Sequence, residues 1–303
     1  LSPAATAAIR SRAPGLGLFA VVLIACFALP LYDLVRLALR SNIYSHVLLI
    51  PFISGYLLWL KRGELAWESP PARWLASIPA VMGLSLLAGY WIAVGGGWQP
   101  GRDNYLALMT LAFLCLLLGG MAWFMGAETL RRGAFPLGFL VFMAPFPTAV
   151  LDGIEAFLQH GSADAAQALL VISGMPLLRD DTIFRLPGFT MEVAPQCSGI
   201  RSTLVLFITS TVAAYLFLRS PWRRAVFILA VMPLALLRNG LRIFTIGQLC
   251  VQVSPDMIHS FIHTNGGPIF FALSLIPFFL LLLWLRKSEN KKRSPGPEPT
   301  TTG

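Results

Sequence analysis

The sequence predicts an all-α polytopic membrane protein of about eight transmembrane helices, with one short β-hairpin before the sixth. Three observations predict it. Of the 303 residues, 56% are hydrophobic and 12% charged, whereas a soluble domain carries about 25% charged residues. Mean hydropathy is +0.71. Apolar stretches of about 18 or more residues, long enough to cross a bilayer, recur almost from end to end.

Eight such stretches stand out, at residues 15–32, 43–60, 74–94, 105–126, 134–151, 200–218, 225–250 and 268–285. The first follows Arg10 and Arg12 and has no small-residue cleavage site after it, so it reads as a retained anchor rather than a signal peptide. No sequence repeat is visible, and one membrane domain over residues 1–286 is expected. The tail, 287–303, is charged and then rich in Pro, Thr and Gly, a composition that predicts cytoplasmic disorder.

Loop charges set the expected orientation. One alternate set of segments holds 15 basic residues: Arg10, Arg12, Lys61, Arg62, Arg73, Arg131, Arg132, Arg219, Arg223, Arg224, Arg286, Lys287, Lys291, Lys292 and Arg293. The other set holds 5: Arg36, Arg40, Arg102, Arg179 and Arg185. Basic loops stay cytoplasmic, so both termini are expected inside, which requires an even number of spans. The net charge of +9 is explained by this bias, and no nucleic-acid partner is implied.

The longest non-spanning stretch, 152–199, is expected on the outer face. Residues 153–172 mix apolar and polar positions, as in a helix lying in the interface or against the bundle. Residues 182–193 read as two short strands around Pro187-Gly188. The hairpin leads into Pro195-Gln196-Cys197-Ser198-Gly199-Ile200-Arg201, at the mouth of the sixth span.

Cys197 is the first candidate for chemistry. A thiol is nucleophilic as the thiolate, which a helix N-terminus and a nearby guanidinium favour. Arg201, at i+4, shares its helix face if that turn is helical. Cys26 and Cys115 lie in plain apolar runs. Cys250, near the outer end of the seventh span, offers Cys197 an alternative fate as a disulfide in an oxidising compartment.

Arg238 and Arg242 lie in the middle and outer half of the seventh span. A charge at membrane depth is costly and points to function. The bland alternatives are a structural ion pair or snorkelling. No acidic residue lies within a span, and snorkelling suits Arg242 better than Arg238. The next outer loop holds His259 and His263, and a histidine of near-neutral pKa can take and return a proton. Either histidine alone reads most simply as an interfacial residue, but both converge with Cys197 and Arg242 on one side of the membrane. His46 opens the second span as a supporting candidate, and His160 reads as an exposed helix residue. Asp256, His259 and His263 have zinc-like spacing, but His-Ser-Phe-Ile-His lacks the glutamate of the zinc-protease motif. No metal or other cofactor is expected.

With these residues in view, the chain resembles the exosortase/archaeosortase family of multi-pass membrane transpeptidases. The resemblance runs through most of the membrane domain. It rests on Tyr44-Ser45-His46 with Pro51, on Leu186-Pro187-Gly188 followed by Cys197-Ser198-Gly199-Ile200-Arg201, on Asn239-Gly240-Leu241-Arg242-Ile243, and on His263 with Gly267 and Phe271. Thr264 stands where the family often has Asp after the histidine.

The resemblance implies a nucleophile Cys197, a catalytic Arg242 and a proton-transferring His263. Asn239 and Arg238 lie beside that arginine, and His259 is the alternative histidine. It further implies a bacterial inner-membrane cysteine protease or transpeptidase with its site on the extracytoplasmic face. The implied partners are exported proteins ending in a short motif (Pro-Glu-Pro in the commonest class), a hydrophobic helix and a basic cluster. Membrane lipids surround the chain, and the acceptor is water, an amine or a hydroxyl, for instance on a cell-surface polysaccharide or lipid. Two rival readings remain at this point. One is a transporter or channel that binds an anionic lipid or polysaccharide intermediate through Arg238 and Arg242. The other is a structural component of exopolysaccharide or surface assembly.

Overall fold

The computed structural model describes residues 3–65, 70, 72–259 and 266–291. These are predominantly helical and group into two compact units, Leu1–Leu151 and Asp152–Gly303.

The first unit begins with α1 (Pro3–Cys26) and α2 (Ala28–Arg40), which meet at a 71° bend. Pro30 explains the break, because its ring clashes with the carbonyl four residues back, that of Cys26. A 3-10 turn, Ser45–Leu48, leads into α3 (Ile50–Leu60), followed by α4 (Arg73–Gly95) and α5 (Arg102–Met125). Gly83 of α4 lies against Ala112 and Leu116 of α5, where a Cβ would come within 2.9 Å of Leu116. Small residues at such crossings let helices approach closely in lipid. Short helices α6 (Ala127–Arg132) and α7 (Ala134–Phe139) complete the unit before α8 (Thr148–Ile172) begins. Glu128, in the first turn of α6, bonds Arg131 and Arg132, which hold its carboxyl down to about 2.

Among the described residues, five helices are long and apolar enough to cross a membrane, or up to seven if each bent pair is one span. The sequence reading of eight differs at residues 43–60, where the Ser45–Leu60 helix is shorter than a span, and at 134–151, where Ala134–Met143 and Thr148–Ile172 meet at a 90° bend. Apolar composition at 43–60 was continuous, but the chain spends residues on turns around Tyr44. On α4, Trp74 and Ile92 are 83% and 75% exposed. Such a helix needs an apolar solvent on its exposed face, as lipid provides for a multi-pass membrane protein.

The second unit holds most of α8 and a three-stranded antiparallel sheet of β1 (Leu178–Asp180), β2 (Ile183–Leu186) and β3 (Phe189–Glu192), in that order. The expected strands around Pro187-Gly188 are β2 and β3. Gly188 adopts φ +74°, as the third position of a type II turn requires. β1 escaped notice because Leu-Arg-Asp is too short and too charged to show alternation.

Beyond the sheet come α9 (Ile200–Phe217), α10 (Pro221–Leu229), α11 (Val231–Gln252) and α12 (Gly267–Lys291). Pro233 accounts for the end of α10, since its clash falls on the carbonyl of Leu229. α12 continues through Lys291, past the expected boundary at Arg286. Near its end, Glu289 accepts the backbone N–H groups of Arg219 and Ser220, capping the approach to α10. Residues 292–303 lie outside the described residues.

Phe184, Leu186, Met191 and Val193 bury one face of the sheet against Ala166 and Leu170 of α8 and Ile243 and Ile246 of α11. The C-terminal half of α11 is therefore packed against protein, in contrast to α4.

Candidate active site

Polar ties add to the apolar seat of the sheet on α8. Gln159 Nε2 donates to the carbonyl of Val193 at 2.5 Å. Arg179 Nη1 donates to Asp164 and to Gln167, each at 2.7 Å. His160 Nε2 lies 3.1 Å from Asp181, so this histidine has a role in the unit that its sequence context did not show.

β3 passes through Val193 and Ala194 into a 3-10 turn, Pro195–Cys197. The amide of Cys197 donates to the Ala194 carbonyl at 2.8 Å, and that of Ser198 to Pro195 at 3.0 Å. Gly199 then takes φ +76°, and α9 starts at Ile200. Cys197 is thus held in a tight elbow before the helix. The left-handed residue corrects one expectation: 197–201 is not a continuous helical turn, so Cys197 and Arg201 share no helix face. Arg201 is exposed.

α11 fastens this elbow. Asn239 is 3% exposed and Arg238 is 7% exposed. Asn239 Nδ2 donates to the carbonyl of Cys197 at 2.7 Å. Arg238 Nη2 reaches Gly199 O and Thr203 Oγ1, each at 3.4 Å, which are long contacts. Its Nη1 is buried without a hydrogen-bond partner among the described residues. One turn on, Arg242 lines a cavity of about 100 Å³ together with Cys197, Asn239, Glu192, Val193 and Ala194. Met191, Ile243 and Ile246 complete the lining, so Cys197, Asn239, Arg242 and Glu192 share it with apolar residues.

Of the residues singled out from sequence, Cys197, Asn239 and Arg242 come together here, with Arg238 packed against the elbow. Cys250 is buried in the core of the unit, and both it and Cys197 are thiols. His46 belongs to the first unit, where its Nδ1 lies 3.0 Å from the carbonyl of Ile43. His259 ends the 3-10 turn Pro255–His259, and His263 lies outside the described residues. The Asp256, His259 and His263 trio, whose spacing alone suggested zinc, therefore falls partly outside them. Among the described residues no group of three His, Cys, Asp or Glu side chains is arranged to hold a metal.

Sequence reasoning missed Glu192, although it was visible as an acidic residue closing the hairpin five positions before the cysteine. It also missed Thr203, whose hydroxyl donates to Gly199 O at 2.9 Å.

Neither the curated proteins nor the solved structures contain a match to the chain. A family model described as Transmembrane exosortase (Exosortase_EpsH) matches residues 38–280, a region that contains both the elbow and α11. Because that match covers most of its length, the chain belongs to the transmembrane exosortase family.

Proposed function

We propose that the protein is a membrane-embedded cysteine transpeptidase that cleaves the C-terminal sorting signals of exported proteins through a thioester acyl-enzyme. The observation that carries this reading is the shared cavity of Cys197 and Arg242, built by two different elements. Family membership supports the reaction class.

In the proposed reaction the Cys197 thiolate attacks the carbonyl carbon of the scissile peptide bond. Negative charge develops on the oxygen, where Arg242 stabilises it. Collapse of the tetrahedral intermediate breaks the C–N bond, and His263 gives its proton to the leaving amine. An acceptor amine, hydroxyl or water then attacks the thioester. Its proton passes to His263, and the Cys197 thiolate leaves. His259 is the alternative proton carrier. Asn239 and Arg238 hold the elbow that carries the nucleophile, while His46 and Arg201 stand outside the bond-making steps. The basic-loop bias supports cytoplasmic termini and a cavity on the extracytoplasmic side, and family membership supports a bacterial inner-membrane location.

The test is Cys197→Ala in cells that express a tagged exported protein ending in a short motif, an apolar helix and an arginine cluster. Processing should cease, and processing that persists overturns the nucleophile assignment. The buried Nη1 of Arg238, without a hydrogen-bond partner among the described residues, favours a second reading, in which the protein binds an anionic lipid or glycan for transport. That reading requires full activity without the thiol.

A further inference from the structure

We propose that the outer edge of β3 binds the substrate as an added β-strand and leads its scissile bond into the Cys197 cavity. The inference rests on the transpeptidase reading for the identity of the ligand. Its geometry comes from the sheet.

β3 is an edge strand, because the sheet order ends with it. Its register against β2 pairs Leu186 with Phe189, Arg185 with Thr190, Phe184 with Met191 and Ile183 with Glu192. In an antiparallel ladder, hydrogen-bonded and non-hydrogen-bonded pairs alternate, and a two-residue turn makes its closing pair a bonded one. Phe189 and Met191 therefore spend their main-chain groups on β2. Val193 continues the series by donating to Thr182 O at 2.9 Å. Thr190 and Glu192 turn their N–H and C=O groups the other way. Among the described residues, nothing bonds those four groups, and both residues are exposed.

Two donors and two acceptors, repeating about every 7 Å along the strand, match one kind of ligand well. An extended polypeptide presents the same repeat and pairs with such an edge. The position of the edge supplies the purpose. Met191, Glu192, Val193 and Ala194 themselves line the cavity that holds Cys197 and Arg242. A peptide paired at Thr190 and Glu192 has its next residues at that cavity. The sheet can serve as a fixed rail because Gln159 and Arg179 tie it to α8. Main-chain pairing also gives affinity without reading side chains, so one edge accepts signals of varied sequence, with selectivity left to the cavity.

The test uses full-length Cys197→Ala protein in detergent and a fluorescein-labelled synthetic peptide with a central Pro-Glu-Pro, followed by anisotropy. Thr190→Pro, added to that protein, removes an outward N–H that the β2–β3 ladder does not use, a change edge strands tolerate. Binding should weaken about tenfold, while Thr190→Val, which keeps the N–H, stays within about twofold. Methylating the peptide's own amides one at a time should weaken binding at alternate residues only. This scan keeps the inference open to refutation if Thr190→Pro misfolds. Equal binding by the Pro and Val variants overturns the inference, as does a methylation penalty without alternation. It is also overturned if Thr190→Pro instead splits a dimer in light scattering, which would mean a second copy occupies the edge. Processing in cells by protein with Cys197 intact tests the transpeptidase reading separately. A tagged protein that is processed normally by Thr190→Pro would refute strand addition alone.

Discussion

The side-chain amide of Asn239 donates to the carbonyl oxygen of Cys197 at 2.7 Å. This bond joins α11 to the elbow, so the helix that carries Arg242 also fixes the backbone of the proposed nucleophile. Thiol and guanidinium are held in register by a residue between them in function, one turn before Arg242 in sequence.

Asn239→Ala should therefore act on turnover more than on folding. It leaves a part-buried carbonyl without its donor, at a cost of about 1 kcal/mol, and frees the elbow to move. Turnover of a cleavable peptide should fall at least about tenfold with little change in KM. The rate of Cys197 alkylation by iodoacetamide should change as well. A variant with wild-type turnover and alkylation would show that Asn239 is only a packing residue.

Gly199→Ala tests the elbow from its other side. The backbone sits at φ +76°, and a Cβ there would meet Arg238 Nη2 at 2.9 Å and Asn239 Oδ1 at 3.3 Å. A left-handed alanine costs about 1–2 kcal/mol before any clash. The expected result is a lower Tm in detergent together with loss of processing. Combining it with Arg238→Met should restore part of the Tm, since the closest clash is removed, and no recovery would argue against that contact.

Arg238 and Arg242 should separate by function. Arg242 lines the Cys197 cavity, so Arg242→Ala should reduce cleavage about a hundredfold or more in a protein that still folds. Arg238 packs on the elbow, and Arg238→Lys should keep part of the activity because it retains a donor for Gly199 O. If both arginine variants lose export of an anionic glycan while Cys197→Ala does not, the transport reading replaces the transpeptidase one.

The sequence made the elements of the site legible, but not the way they join. Cys197 and Arg242 stood out because a lone polar or reactive residue beside a long apolar run has few mundane explanations. Asn239 carried no such signal, since its partner is a main-chain carbonyl that no side-chain pattern encodes. The edge position of β3 was hidden for a related reason: alternation identifies strands, but the register with β2 decides which N–H groups face outward. Span counting lost accuracy where hydrophobicity stayed high and backbone geometry changed. Pro30 bends the first apolar run, and turns around Tyr44 shorten the second, yet both runs read as continuous. The reach of Gly199 across to Arg238 depends on a left-handed φ, which the sequence Ser-Gly-Ile permits without requiring.

Gly240, directly after Asn239, offers the last and most direct test of that linkage. A Cβ at this position would lie 2.6 Å from the Cβ of Ala165 and 3.0 Å from the backbone nitrogen of Ala166 in α8. Neither atom can rotate away, so Gly240→Ala must push α11 off α8. Overpacking of this kind costs about 1–3 kcal/mol. Asn239 would move with its helix while the sheet stays tied to α8 through Gln159 and Arg179. The bond from Asn239 to Cys197 should then lengthen, and activity should drop further than the Tm shift accounts for. Gly55→Ala is the control: it also lies inside a helix, but a Cβ there meets nothing within 4 Å, so Tm and turnover should both hold. Activity in Gly240→Ala that merely tracks its folded fraction would mean that the spacing of α8 and α11 does not control the elbow.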